Sequence, residues 1–143
     1  MRFKSPDGSF EAEFPGAVNV KTEPGGSGVS YLAKISDVVF GAGVKPLSVE
    51  DAALSSDALL AQVDKDVAAD KTMQGLKKIV ALSGHEGREY VVRKTTKRGQ
   101  VDETYRLFFR GGRVYTLIVI ARAGRDVALE RDKFFNSFVL NGQ

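Results

Sequence analysis

The sequence predicts an α+β domain, an antiparallel sheet with helices packed on its faces. Four successive segments between Leu76 and Arg122 carry apolar residues at every second position, the spacing of half-buried strands. Their connections are short and marked by Gly84 and Gly87, by Gly99, and by Gly111-Gly112, and loops of that length join antiparallel neighbours. One segment before this meander and one after it change to spacings of three and four, the period of an amphipathic helix.

The first strand is read over Ser9 to Phe14, between the turn pairs Asp7-Gly8 and Pro15-Gly16: Phe10, Ala12 and Phe14 alternate with Ser9, Glu11 and Glu13. Thr22 to Gly28 contains Pro24, Gly25, Gly26 and Gly28 and reads as an exposed loop. A second strand region covers Val29 to Phe40, with Asp37 as a point where its pairing can break. The first helix is expected over Ser55 to Met73, with a start nearer Val49 also compatible and Gly75 as its stop. Ser55 and Ser56 suit its N-terminus, because a serine oxygen accepts from the free N–H groups of a first turn. Leu59, Leu60, Val63 and Val67 form its apolar stripe, with Asp57, Asp64, Lys65 and Asp70 around it.

The meander strands are Leu76 to Leu82, Arg88 to Thr95, Glu103 to Arg110 and Arg113 to Arg122. Gly111-Gly112 leaves two residues for the last turn, where glycine supplies the positive φ a tight hairpin demands. In the third of these strands Tyr105, Leu107 and Phe109 share the face read as buried, and Arg106 and Arg110 lie opposite, toward water. A C-terminal helix from Asp126 to Phe138, capped by Asp126, turns Val127, Phe134, Phe135 and Phe138 to one side against the sheet. The predicted order is β-β-α-β-β-β-β-α. With no internal repeat and no long linker, residues 1–143 form a single domain.

Composition sets further bounds. With 43% hydrophobic and 27% charged residues the chain is that of a folded domain. At 143 residues it buries about two-thirds of its unfolded surface, enough for a core without staples. The absence of cysteine removes disulfides, thiolate nucleophiles and thiolate metal sites. No apolar run approaches the ~20 residues that span a bilayer, the longest being Val114 to Ala121. The N-terminus has no signal pattern, so the chain is either cytosolic or shorn of a leader, with Met1 native in the first case and an added start in the second. The net charge of +3 is unevenly spread: ten Lys/Arg against four Asp/Glu from His85 to Arg125, and six acids against two lysines from Ser48 to Thr72.

Few residues can carry chemistry. His85, in Ser83-Gly84-His85-Glu86-Gly87, is the one histidine and can be paired on paper with Glu86 as the base of a hydrolase, but no nucleophile accompanies it. One histidine without cysteine makes a zinc site improbable, and Asp64, Asp66 and Asp70 follow a helix rather than a calcium loop. Gly41-Ala42-Gly43-Val44-Lys45-Pro46 has the start of a phosphate-binding turn but neither a third glycine nor a following βαβ helix. No cofactor is expected. The basic residues carry more weight: Arg93, Lys94, Lys97, Arg98, Arg106, Arg110 and Arg113 fall on adjacent strands and turns, with Tyr90, Tyr105 and Tyr115 nearby. They are the candidate partner-binding residues, and as one basic sheet face they would suit a nucleic acid or another polyanion.

Three segments together resemble the PsbP/Mog1-like domains. Ser5-Pro6-Asp7-Gly8-Ser9-Phe10-Glu11-Ala12-Glu13-Phe14-Pro15-Gly16 is similar to their first strand, and Leu82-Ser83-Gly84-His85-Glu86-Gly87-Arg88-Glu89-Tyr90 to the glycine-marked start of their meander. Arg113-Val114-Tyr115-Thr116-Leu117 followed by Lys133-Phe134-Phe135-Asn136-Ser137-Phe138 is similar to their ending. The resemblance implies an antiparallel sheet with helices on its faces and a non-enzymatic habit: members act as accessory or partner-binding proteins, in photosystem assembly or on a small GTPase. Bacterial relatives are often exported domains or lipoproteins, which favours an extracytoplasmic place over the cytoplasm. The matching positions are structural, so no functional residue carries over. The expectation is a non-catalytic accessory module that engages a protein through its sheet edge or the loops around Gly25 and Gly99.

Overall fold

A computed structural model describes residues 2–22, 28–70, 73–80 and 85–141, the segment 73–80 by its backbone. The elements run β1 (Arg2–Lys4), β2 (Phe10–Glu13), β3 (Asn19–Thr22), β4 (Val29–Ile35), β5 (Val38–Pro46), α1 (Val49–Ala52), α2 (Ser56–Ala69), β6 (Met73–Val80), β7 (Glu86–Thr96), β8 (Gly99–Arg110), β9 (Arg113–Arg122), α3 (Ala128–Asn136) and β10 (Val139–Leu140). Seven strands form one antiparallel sheet in the order β3-β4-β5-β9-β8-β7-β6, and β1-β2-β10 form a second, smaller one. This is the α+β architecture expected, with a sheet more than the sequence announced.

The meander is the part that local chemistry dictates most directly. Gly111 and Gly112 have φ of +60° and +75°, the conformation of a two-residue hairpin turn, and Arg110 pairs with Arg113 across them. The Ser55 hydroxyl accepts from the Ala58 N–H to start α2, which ends at Ala69, before the expected Met73. Gly75 lies in β6 rather than at a helix end. The compatible start at Val49 is a separate turn of helix, α1, capped by Ser48. Val29 to Phe40 divides into β4 and β5 at Ser36-Asp37, where Ile35 pairs with Val38. β5 continues through Gly41-Ala42-Gly43 to Pro46, so that glycine segment is strand and not turn. The loop around Pro24 to Gly26 lies outside the described residues.

Both faces of the large sheet carry packed elements, of different kinds. On the first, the small sheet and α3 bury Phe10, Phe14, Phe134 and Phe138 against Phe40, Phe108, Tyr115 and Leu117. The rings meet in chains: Phe14 to Phe134 at 4.9 Å, Phe134 to Phe40 at 5.6 Å, and Phe138 stacked on Phe108 at 5.9 Å. Gly87 sits beneath Phe108, where a Cβ would lie 2.5 Å from that ring. On the opposite face α2 lies across β6, β7 and β8 and buries Leu59, Leu60 and Val67. Arg88, 4% exposed, fixes that contact: its Nε and Nη2 donate to both Asp64 carboxylate oxygens at 2.6 and 3.1 Å, and Nη1 to Glu86 at 2.7 Å.

Candidate interaction surface

The candidate basic residues do not form one face. Because side chains alternate along a strand, Arg93 and Arg106 point to the α3 side of the sheet and Lys94 to the α2 side. Arg110 and Arg113 stand at the opposite end of β8 and β9 from Lys97 and Arg98. Most are also neutralised locally. Arg93 donates twice to Asp102, at 2.8 and 3.0 Å, and the Lys94 ammonium lies 2.9 Å from Glu103. Arg106, read from the sequence as facing water, is partly buried: it donates to Glu89 at 2.6 Å and its guanidinium lies 4.9 Å from the centre of the Phe135 ring. The sequence reading failed there because both faces of a central strand are covered, and α3 lies over the side taken as wet.

At the far end, Arg113 donates to Asp7 at 3.0 Å, and Arg110 meets His85 Nε2 at 2.8 Å. The Tyr115 hydroxyl, then Asp7, raise the affinity of the Arg113 guanidinium for its proton. Asp7 accepts from the Ser9 N–H and from the Ser9 and Ser5 hydroxyls; chiefly through the Ser9 N–H, its carboxyl is held well below the ordinary carboxylate range. A cleft of about 430 Å³ opens here between the Gly8 and Gly111 turns, lined by Arg110, Arg113, Tyr115 and Asn141. His85 and Glu86, paired on paper for hydrolysis, bond elsewhere: His85 to Arg110 and Glu86 to Arg88. Asp64 is likewise committed to Arg88, and among the described residues no three acidic or histidine side chains gather as a metal site.

What remains of the basic set is the β7–β8 hairpin tip. Thr96 pairs with Gly99 across Lys97-Arg98, the Thr96 hydroxyl bonds the Gly99 carbonyl at 2.7 Å, and the Arg98 N–H returns to the Thr96 oxygen at 3.2 Å. The turn is therefore rigid while its two side chains are exposed and, among the described residues, make no ion pair. Sequence reasoning passed over a second set, Lys21, Lys34, Lys45 and Arg122. These lie on four different strands, and only the strand registers bring them to one face.

No protein-family model matches the chain, and no curated protein matches its sequence. Solved structures do match its fold. A protein of Bacteroides thetaiotaomicron VPI-5482, in a crystal structure at 1.50 Å resolution, superposes with a TM-score of 0.66 at 12% identity over 99% of this chain. This chain spans about half of that protein, 48% of its length. The solution structure of the cyanobacterial PsbP, CyanoP, of Synechocystis sp. PCC 6803 superposes with a TM-score of 0.62, also at 12% identity, over 99% of this chain and 92% of that one. Likeness at that identity speaks for the backbone and leaves the sites open. The expected architecture is borne out: the protein has a PsbP/Mog1-like fold.

Proposed function

We propose that the protein is a non-catalytic accessory module that engages a protein partner, with the β7–β8 hairpin tip as a contact. The observation that carries this reading is the pair Lys97 and Arg98, which make no ion pair among the described residues and stand on a hydrogen-bonded turn, while the other candidate cations are held by carboxylates or by His85. A hydrogen-bonded tip with two exposed cations favours an acidic protein surface, because its backbone needs little further ordering on binding. A basic sheet face for nucleic acid receives less support, since Arg93, Lys94 and Arg106 point to different faces and are neutralised. The hydrolase reading receives less support, since His85 bonds Arg110 and Glu86 accepts from Arg88. The resemblance noted in the sequence favours a place outside the cytoplasm for such a module, and fractionation of the host cell tests it.

The functional test is a pull-down from lysate and envelope fractions of the native host, washed at low and high salt, with the wild type and with Lys97→Glu/Arg98→Glu. A protein retained at high salt by the wild type and lost by the double variant is the expected result. Equal retention by both removes the hairpin from the interface. Nucleic acid retained only at low salt overturns the reading in favour of polyanion binding.

A further inference from the structure

The face of the large sheet that carries α2 is only half covered by it. α2 lies across β6, β7 and β8, while the same face of β4, β5 and β9 presents Leu32, Val39, Ile118 and Ile120 side by side, all partly exposed. Their alignment follows from register: Leu32 pairs with Gly41 and Gly41 with Ile118, while Val39 pairs with Ile120. Gly41 makes the strip continuous. A Cβ there would lie 2.6 Å from Leu32 Cδ2 and 2.9 Å from Ile118 Cγ2, so the two apolar side chains close over the glycine without a gap.

On β3, β4, β5 and β9 the charged residues that border this strip have one sign. Lys21 on β3, Lys34 on β4, Lys45 on β5 and Arg122 on β9 all project to this face, opposite Ser30, Val39, Val114 and Val101 respectively. All four are exposed, and none makes an ion pair among the described residues. No Asp or Glu projects from β3, β4, β5 or β9 on this side. The next residue along the Ile120 row is Glu103 on β8, which is buried and already held by Lys94 at 2.9 Å and the Tyr105 hydroxyl at 2.7 Å. An apolar strip rimmed on four strands by unneutralised cations is a charge pattern with a definite complement.

We infer that this open half-face docks an amphipathic helix of a partner protein, its apolar stripe over Leu32, Ile118 and Ile120 and its acidic flanks against Lys21, Lys34, Lys45 and Arg122. Four strands spaced ~4.8 Å apart give a face about 14 Å wide, which accepts one helix of about 10–12 Å diameter. Leu32 and Ile118 come together over Gly41 and form a floor for an inserted apolar stripe. A second copy of the chain supplies no such stripe from α2, whose Leu59, Leu60 and Val67 are already buried. This inference rests on the reading of the chain as a partner-binding module, but it concerns a different surface from the hairpin.

The test uses the full chain and a displayed library of 18-residue helical peptides in which apolar and charged positions vary. The expected selection is for apolar residues at i, i+3, i+4 and i+7 flanked by Asp and Glu, with amide shifts on binding confined to β3, β4, β5 and β9. Lys34→Glu/Lys45→Glu, at two exposed positions, is expected to fold as the wild type does and to weaken the selected peptides at least ~10-fold. Lys97→Ala/Arg98→Ala leaves their affinity unchanged, which separates this site from the hairpin. Selection of basic or uncharged peptides, no selection at all, or shifts that map elsewhere would overturn the inference. So would charge-dependent binding of phosphatidylglycerol vesicles in place of peptide, or self-association through the same residues.

Discussion

Against one face of the seven-stranded sheet lie Phe10, Phe14, Phe134 and Phe138, ring against ring, with one cation, Arg106, over the neighbouring Phe135. Against the other lies α2, with three buried aliphatic side chains and a buried arginine that grips Asp64 and Glu86. The first attachment is apolar, non-directional and spread over many contacts. The second depends on few groups with fixed geometry, and its carboxylates are 38% and 42% exposed. The aromatic side is therefore expected to carry the stability, and the α2 side to fix position, leaving half a face free.

The largest effect should come from Phe134→Ala. The ring is 1% exposed and touches Phe14, Phe40 and Phe135, so its removal is expected to cost about 3–5 kcal/mol, read by urea denaturation. Arg88→Met is expected to cost about 1–3 kcal/mol, less than a fully buried pair, because water reaches the Asp64 and Glu86 carboxylates. Its sharper readout is faster amide exchange in α2 with β2 and α3 unchanged. A global loss as large as that of Phe134→Ala would break the comparison. Gly41→Ala should cost about 1–2 kcal/mol, since Leu32 and Ile118 must part to admit the methyl group.

Acid should act on the aromatic side's outer edge before its core. Asp7 and Glu11 both have carboxyls held below their ordinary values of 3.8 and 4.5, Asp7 chiefly by the Ser9 N–H and Glu11 chiefly by Asn141. Their stabilisation is complete above those ordinary values and fades as pH falls toward the lower folded ones. Asp7→Asn should therefore flatten the decline in stability below about pH 4, measured by urea titration across pH 2–6. Smallest of all, Lys97→Ala/Arg98→Ala should leave stability within about 0.5 kcal/mol, because neither side chain is buried or ion-paired.

Much of the fold was legible from local chemistry. Alternation located β7, β8 and β9, and β9 ran over Arg113–Arg122 as read; Gly111-Gly112 set the register there, and Ser55 marked the start of α2. The small sheet was not legible beyond β2. β1 has three residues and β10 two, too few for a period, and both are strands only because β2 lies between them. β5 was hidden because Gly41, Ala42 and Gly43 have little intrinsic preference for a strand; neighbours on both sides impose it. The candidate site was legible in part. Clustering along the sequence suggested one basic face, whereas alternation separates neighbours such as Arg93 and Lys94. The cations that do share a face, from Lys21 to Arg122, come together through pairings between strands that sequence order does not specify.

The pairing of β10 with β2 has a consequence during synthesis. Leu140 pairs with Phe10, and the Asn141 N–H bonds the Ser9 carbonyl at 2.8 Å, so β2 receives its last neighbour from residues about 130 positions later. A nascent chain on the ribosome can zip the β7–β8–β9 meander as soon as it emerges, because those contacts are local. Phe10 and Phe14 lack their Phe138 and Phe134 neighbours until Phe134 to Leu140 have been translated. That interval is the window in which a chaperone would find this protein, and stalling translation after Arg122 would lengthen it.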